Sequence, residues 1–144
     1  MAYSQKKFRE IVFQMVFSRD LNENLDDKAL SSFLDQFLVP KKFLYQAYEK
    51  AQSVFDSIET IDDLIAKFSS SYDFKRISKV EKNVLRLASF ELLFKEEVPK
   101  KVAISEAIRL SRKFGSPEGS SFVNAVLDGI YKWIDRDSIS GNRL

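Results

Sequence analysis

Glycine and proline are scarce in this sequence, and their scarcity limits the folds that the chain can adopt. Its 144 residues include 4 glycines and 3 prolines, whereas 44% are hydrophobic. Sheets built from many short strands need frequent turn residues, so the composition argues against a sandwich or a barrel. We therefore predict an all-α chain of six or seven helices, as one domain or two intimately packed helical halves.

Apolar residues at helical spacing predict the helices of an N-terminal half, about residues 1–71. The predicted helices of this half cover residues 3–19, 25–38 and 41–68, the last with a break near residues 57–60. The serine run at 69–71 ends this half, and we expect a subdomain boundary there.

A C-terminal half, about residues 76–136, contains the clearest helix signal. Ser78 and Glu81 fit a capping box, in which each side chain satisfies a free backbone N–H at the start of a helix. This pattern predicts a helix over Ser78–Glu97. Its predicted apolar face comprises Val80, Val84, Leu87, Ala88 and Leu92.

Proline and glycine then delimit two further helices. Pro99 predicts a helix junction, because proline disfavours the helical region for the residue before it. Gly115 is expected to end the next helix in the left-handed conformation. Ser116 and Pro117 have the residue types of an N-cap and a first helical position, so a final helix should follow. We expect the single domain to end near residue 138 and residues 138–144 to form a polar tail.

Cysteine and histidine are both absent, which excludes disulfides, zinc fingers, thiol chemistry and imidazole-based mechanisms. Adjacent acid pairs such as Asp62–Asp63 diverge by about 100° around a helix, so they do not face one substrate. We therefore predict no catalytic residue, no metal and no cofactor, and a protein that is not an enzyme. No segment approaches the roughly 20 apolar residues of a membrane span, and we expect a cytoplasmic protein.

Positive charge is concentrated at the N-terminus, although the net charge is only +2. Lys6, Lys7, Arg9 and Arg19 lie in the first nineteen residues with the single acid Glu10. We expect one helix turn to present the first three of these cations to solvent, as phosphate recognition requires. An ordinary solvated helix face is the alternative.

Aromatic residues accompany this basic arm. Tyr3, Phe13 and Phe17 cannot all share the stripe of Phe8 and Val12. Some of them are candidates for stacking on RNA bases. The alternative is a second buried face of the helix.

Four segments of the C-terminal half resemble a known family. Residues 80–92 read V-E-K-N-V-L-R-L-A-S-F-E-L, and residues 98–108 read V-P-K-K-V-A-I-S-E-A-I. K-F-G at 113–115 and F-V-N-A-V-L-D at 122–128 follow. In order and spacing, these segments resemble the NusB family of transcription antitermination factors. Near the N-terminus, Arg9-Glu10 with Gln14 and Phe17 also resembles the start of that family.

The resemblance implies a compact NusB-like fold of two packed subdomains with three to four helices each. It also implies an adaptor that binds boxA-type single-stranded RNA together with NusE, a small-subunit ribosomal protein. Such an adaptor joins the RNA polymerase elongation complex indirectly and supports ribosomal RNA transcription.

Position by position, the resemblance assigns two sets of residues. The RNA-binding set is Lys6, Lys7, Arg9, Gln14, Glu118, Ser120, Phe122 and Asn124. The set at the partner-protein interface is Phe17, Glu81, Leu85 and Arg86. Leu85 and Phe122 could instead be core residues, and Asn124 could hydrogen-bond the backbone instead of RNA. The arm has lysines at positions 6 and 7 where the family is richer in arginine, and lysine lacks arginine's bidentate phosphate contacts. Ser120-Ser121 likewise replaces a frequent histidine-lysine pair.

Two other functions are compatible with parts of the pattern. A protein-binding helical adaptor, or a homodimer, could keep the fold with weak or lost RNA binding. The fold also precedes the catalytic domain of some ribosomal RNA cytosine methyltransferases. Such an enzyme needs an additional cofactor-binding α/β domain and a cysteine nucleophile, so we do not expect that function for these 144 residues without cysteine.

Overall fold

The computed structural model of the protein describes residues 4–22, 32, 35–69, 73–95 and 97–140, the last four of these by their backbone only. This part of the chain contains six α-helices, a short 3-10 helix and no strand, which confirms the all-α prediction. The helices are α1 (Gln5–Leu21), α2 (Lys41–Asp56), α3 (Ile58–Phe68), the 3-10 helix (Phe74–Arg76), α4 (Lys79–Phe94), α5 (Lys100–Phe114) and α6 (Pro117–Ser140). Within the described ranges, no helix has the length and apolar character needed to cross a membrane.

The chain divides into two compact units, residues 1–56 and residues 57–144. The boundary between the two units lies after α2. We expected a subdomain boundary one helix later, at the serine run of residues 69–71. The difference arises because α3 packs on α4 and α6. The predicted helix over residues 25–38 falls largely outside the described residues, and its last four positions, residues 35–38, are not helical.

In the described part of the first unit, α1 packs against α2. Each helix contributes a buried stripe; α1 buries Ile11, Val12, Phe13, Met15 and Val16, and α2 buries Leu44, Ala47, Ala51 and Val54. The ring of Phe8 lies edge-on to the ring of Phe43, with 5.4 Å between their centroids. Aliphatic and aromatic side chains therefore hold α1 and α2 together.

The second unit surrounds α4, which contacts α3, α5 and α6. Every residue from Lys82 to Leu92 is buried. The sequence predicted an apolar stripe on one side of this helix, and that prediction was too narrow. Because other helices pack against α4 on several sides, these eleven residues have no side that faces solvent.

Charged side chains in α4 are buried with partners. Both nitrogens of the Arg86 fork, Nε and Nη2, donate to the two carboxylate oxygens of Asp62 in α3 at 2.8 Å. Nη1 donates to Oδ1 of Asn83 at 3.1 Å, and the Asn83 amide donates to the carbonyl of Lys79 at 2.8 Å. Since bidentate arginine–carboxylate contacts are both strong and directional, this cluster fixes the position of α3 on α4.

Aromatic rings join α3 to α6. The centroids of the Phe68 and Trp133 rings lie 6.1 Å apart, and Nζ of Lys67 lies 5.1 Å from the centre of the indole. A Cβ atom at Gly129 would lie 2.9 Å from Cδ1 of Phe68. Glycine at this position therefore allows the phenylalanine ring to lie directly on α6.

The helix ends agree in part with the sequence predictions. Ser78 caps α4 by accepting the N–H of Glu81 at 3.4 Å, but the Glu81 carboxylate accepts the Ser78 hydroxyl rather than its backbone N–H. Gly115 ends α5 with φ −129°, so the predicted left-handed conformation is wrong. Glycine is needed there because a Cβ atom would lie 2.8 Å from the carbonyl oxygen of Ser111.

The predicted tail begins within α6, which continues through Ser140.

We expect Asp62→Ala to lower the free energy of unfolding by about 3 kcal/mol, because it leaves the buried Arg86 guanidinium without its carboxylate partner. The neighbouring exposed residue offers a matched control, and Asp63→Ala should change that free energy by less than about 0.5 kcal/mol. Urea unfolding followed by circular dichroism measures both. Equal effects of the two substitutions would show that the ion pair does not hold α3 in place.

Candidate nucleic-acid interface

The basic arm of the first unit is the first turn of α1. Ser4 caps this helix by accepting the backbone N–H of Lys7 at 3.1 Å, and the side chains of Lys6 and Lys7 are exposed. Arg9 is only 7% exposed, so the prediction that it faces solvent is wrong. It precedes Phe13 and Val16 by four and seven residues, which places it on a buried stripe of the helix. The arm thus presents two cations rather than three.

The remaining arm residues are held against their neighbours. Phe13 is 2% exposed and stacks on Phe17, with ring centroids 5.8 Å apart; Phe17 itself is half-buried. Arg19 donates to Oε1 of Gln52 and lies over the ring of Phe55 at 4.4 Å. Phe13 therefore belongs to a buried face and does not offer a free stacking surface.

Gln14 and Tyr3 complete the predictions for the arm. Gln14 is half-buried on α1. Tyr3 lies outside the described residues.

The second group of predicted RNA-binding residues lies at the start of α6. Ser116 accepts the N–H of Gly119 at 3.1 Å, which confirms its predicted capping role. Glu118 and Asn124 are exposed and Phe122 is half-buried. Ser120 is 4% exposed, and its hydroxyl donates to the carbonyl of Pro117 at 2.8 Å. The side chain is therefore buried, and its predicted contact with RNA stays a prediction.

The exposed residues in the first four turns of α6 include acidic but no basic side chains. From Pro117 to Tyr131 the sequence has no lysine or arginine, while Glu118 and Asp128 are both exposed. The next cation, Lys132, lies 2.9 Å from a carboxylate oxygen of Asp128. Residues 117–131 therefore offer hydrogen-bond acceptors and lack the cations that attract phosphate groups.

A cavity of about 270 Å³ lies where the starts of α4 and α6 meet, and we call it the α4–α6 cavity. Its walls include Ser78 and Glu81 of the α4 start, and Ser116, Glu118, Gly119 and Phe122 of the α6 start. Arg76, exposed at the end of the 3-10 helix, also lines it. The cavity thus brings two residues assigned to RNA together with one assigned to a protein partner.

Gly119 determines how closely Glu81 approaches α6. A Cβ atom at position 119 would lie 2.6 Å from Cδ of Glu81, which is too close for a van der Waals contact. Because glycine has no side chain, the carboxylate can lie directly against the first turn of α6.

Arg76 and Gly119 were not predicted from the sequence as parts of a site. Ser78 and Ser116 were predicted as caps, but of two separate helix starts. Two signals were available in the sequence. The basic pair Lys75-Arg76 precedes the cap Ser78, and Gly119 follows the cap Ser116 by three residues. That the two starts meet depends on long-range packing, which local patterns do not encode.

Comparison with known proteins identifies the family. The model of the NusB family matches residues 6–132 of the chain. The chain belongs to the NusB family. The transcription antitermination protein NusB of Desulfitobacterium hafniense is 32% identical over 141 residues, which cover 96% of this chain and 95% of the relative.

Two solved structures extend the likeness to NusB proteins in three dimensions. NusB of T. maritima has a TM-score of 0.81 and 33% identity, covering 92% of this chain and 93% of that chain. A structure of the antitermination factors NusB and NusE in complex with dsRNA has a TM-score of 0.76 and 25% identity. That match covers 90% of this chain and 96% of the other.

The positions that the NusB resemblance assigned to a protein partner differ in their exposure. Leu85 has no exposed surface, and Arg86 is buried in its ion pair with Asp62. Both side chains are buried within the second unit, and their contacts with a protein partner stay a prediction. Phe17 and Glu81 are half-buried and keep some accessible surface.

We expect Arg9→Ala to lower the free energy of unfolding by about 2 kcal/mol, because the substitution removes a buried side chain together with its interactions. Lys7→Ala on the same helix turn removes an exposed cation and should change that free energy by less than about 0.5 kcal/mol. Urea unfolding distinguishes them. Equal effects of the two substitutions would show that the buried Arg9 side chain does not stabilise the fold.

Proposed function

We propose that this chain is an RNA-binding adaptor of transcription antitermination. In this proposal it binds boxA-type single-stranded RNA together with NusE, joins the RNA polymerase elongation complex through that assembly, and supports ribosomal RNA transcription. Membership of the NusB family supports it. So does the likeness to a solved structure in which NusB and NusE are bound to dsRNA. The proposed site of action is nascent RNA in the cytoplasm.

The observation that carries the RNA-binding part is the exposed first turn of α1. Lys6 and Lys7 are exposed there, and the first turn contains no acidic side chain. The N-terminus of a helix carries partial positive charge, which adds to the attraction that the two lysines exert on phosphate. Release of counterions from the RNA supplies the free energy of such contacts.

Two lysines make a weak phosphate site, so the proposal includes linked binding. When one protein contacts RNA and a second RNA-bound partner at once, the second contact becomes intramolecular and the overall affinity rises. NusE is the proposed second partner, with Phe17 and Glu81 as the accessible members of the predicted contact set. The adaptor acts through binding alone, without catalysis or a cofactor.

A second candidate is a protein-binding adaptor or homodimer with weak or lost RNA binding. The burial of Arg9 and Ser120 favours it, because both side chains are withdrawn from the proposed RNA-binding set. The two candidates differ in whether the exposed lysines matter for RNA.

Replacing Lys6 and Lys7 together by alanine should weaken RNA binding and reduce its dependence on salt. For single-stranded RNA, the slope of log affinity against log salt concentration becomes shallower by about 0.7 for each phosphate that the protein ceases to neutralise. Fluorescence anisotropy with a labelled boxA-like single strand, with and without NusE, measures this change. A scrambled strand and a duplex of the same sequence test the preference for sequence and for single strands.

The matched control replaces two exposed cations of α5, Lys101 and Arg112, by alanine. This variant removes the same charge from a helix without predicted RNA contacts, so it should bind RNA nearly as well as the unmodified protein. NusE binding should survive in both variants. Equal RNA affinity of the two variants, or RNA binding that does not respond to salt, would contradict the proposal and favour the protein-binding adaptor.

A further inference from the structure

We propose that the exposed side of α5 is a docking surface for a protein partner that presents an acidic amphipathic helix. We call this surface the basic face of α5; its exposed residues are Lys101, Val102, Ser105, Arg112 and Lys113. The inference goes beyond the proposed function, because it adds a protein contact that involves neither the basic arm of α1 nor the positions predicted to contact NusE.

Positive charge is more concentrated in α5 than in the other described helices. Five cations and one acid give this helix a net charge of +4, whereas the whole chain carries +2. The acid, Glu106, is 8% exposed, and its two carboxylate oxygens accept hydrogen bonds from Arg109 at 2.8 and 3.2 Å. The exposed residues of α5 therefore include cations and no carboxylate, so this face attracts negatively charged groups.

Helix stability explains only part of this charge. Cations in the last turn interact favourably with the negative end of the helix dipole, which accounts for Arg112 and Lys113. Lys100 and Lys101 lie in the first turn, where the dipole disfavours cations, and that turn contains no acid. An anionic partner outside the helix offsets this cost, so the two lysines at the start of α5 point to an external ligand.

The exposed residues of α5 share one side of the helix. At about 100° per residue, positions 101, 102, 105, 112 and 113 fall within about 120° of the helix circumference. Lys101 and Lys113 are twelve residues apart, about 18 Å along the axis at the usual rise. A partner helix of about three turns matches this length, and carboxylates three or four residues apart on one of its sides can meet successive cations.

Two exposed apolar side chains favour a protein over RNA as the partner. Val102 is 40% exposed on the basic face, and Phe94, the last residue of α4, is 47% exposed. Only five residues connect α4 to α5, so both residues lie at the same end of this helix pair. An aliphatic side chain cannot stack on a base, whereas protein interfaces combine an apolar centre, arginine and a polar rim. The occupant that fits these features carries both carboxylates and apolar side chains.

The test uses a labelled synthetic peptide in which leucines recur at helical spacing between flanking glutamates, with alanine elsewhere. Fluorescence anisotropy measures its binding to the full-length chain. One control peptide has the same composition in scrambled order, and another has glutamine in place of every glutamate. Because the inferred contact needs both amphipathicity and charge, the acidic amphipathic peptide should bind about tenfold more tightly than either control.

Three variants connect this binding to the basic face. Replacing Lys101 and Arg112 together by alanine removes two exposed cations and should weaken peptide binding about tenfold. Val102→Gln removes apolar contact without changing charge and should weaken it about threefold. The matched control replaces Lys41 and Lys42, two exposed cations in the first turn of α2, by alanine and should bind the peptide like the unmodified protein. Circular dichroism of each variant checks that the fold is retained.

Binding of the boxA-like single strand is measured in the same variants, so that this inference and the proposed function fail separately. Loss of peptide binding with retained RNA binding in the Lys101 and Arg112 variant supports the docking surface. Absence of RNA binding by the unmodified protein, with peptide binding intact, would contradict the proposed function and still support the docking surface.

Four outcomes would overturn the inference. The amphipathic peptide does not bind, or the scrambled peptide binds equally well. Peptide binding does not respond to Val102→Gln, which would reduce the basic face to a general site for polyanions. RNA and peptide binding fall together in the Lys101 and Arg112 variant, which would show that α5 holds RNA instead of a protein.

Discussion

The second unit depends on a helix with no solvent-facing side. From Lys82 to Leu92, α4 is buried throughout, although five of these residues are polar or charged. A buried charge costs several kcal/mol unless a partner and hydrogen bonds compensate it. The contact between Arg86 and Asp62 provides such compensation, and it can form only when α3 lies at one position along α4. The need to pair the arginine therefore specifies how the helices are arranged.

The same requirement positions the residues around the α4–α6 cavity. Asn83 links Arg86 to the carbonyl of Lys79 in the first turn of α4, so the buried cluster extends to the start of the helix. Glu81 lies in that turn, and its carboxylate contacts both Ser78 and the glycine of α6. A side chain that would move freely on an exposed helix is thus held at a defined place.

The helices could largely be predicted from the sequence, whereas the exposure of individual side chains could not. Pro99, Pro117 and the serine caps mark helix starts through local chemistry, and the predicted starts agree with the structure. Arg9 and Ser120 were assigned to solvent because of their chemical type and the family resemblance. Each of them lies on the buried side of its helix. This position determines the exposure of the side chain more strongly than its polarity does.

That the starts of α4 and α6 meet could not be predicted from the sequence. Ser78 and Ser116 are separated by 38 positions, and each sequence pattern describes its own helix only. Gly119 carries no local signal of its role, since its importance comes from a carboxylate in another helix. Residue patterns therefore predicted the parts of the candidate site, while its geometry follows from the packing of α4 against α6.

The contact of Phe68 with Trp133 also gives the molecule an internal optical marker. Trp133 is the single tryptophan of the chain, and it belongs to the second unit, whereas the first unit contains none. It follows Phe122 by eleven residues, about 16 Å along α6 at the usual helical rise. Its emission should thus follow the contact of α3 with α6, at a distance from the start of α6. An optical signal of this kind would record the loss of packing in one unit while the other unit stays silent.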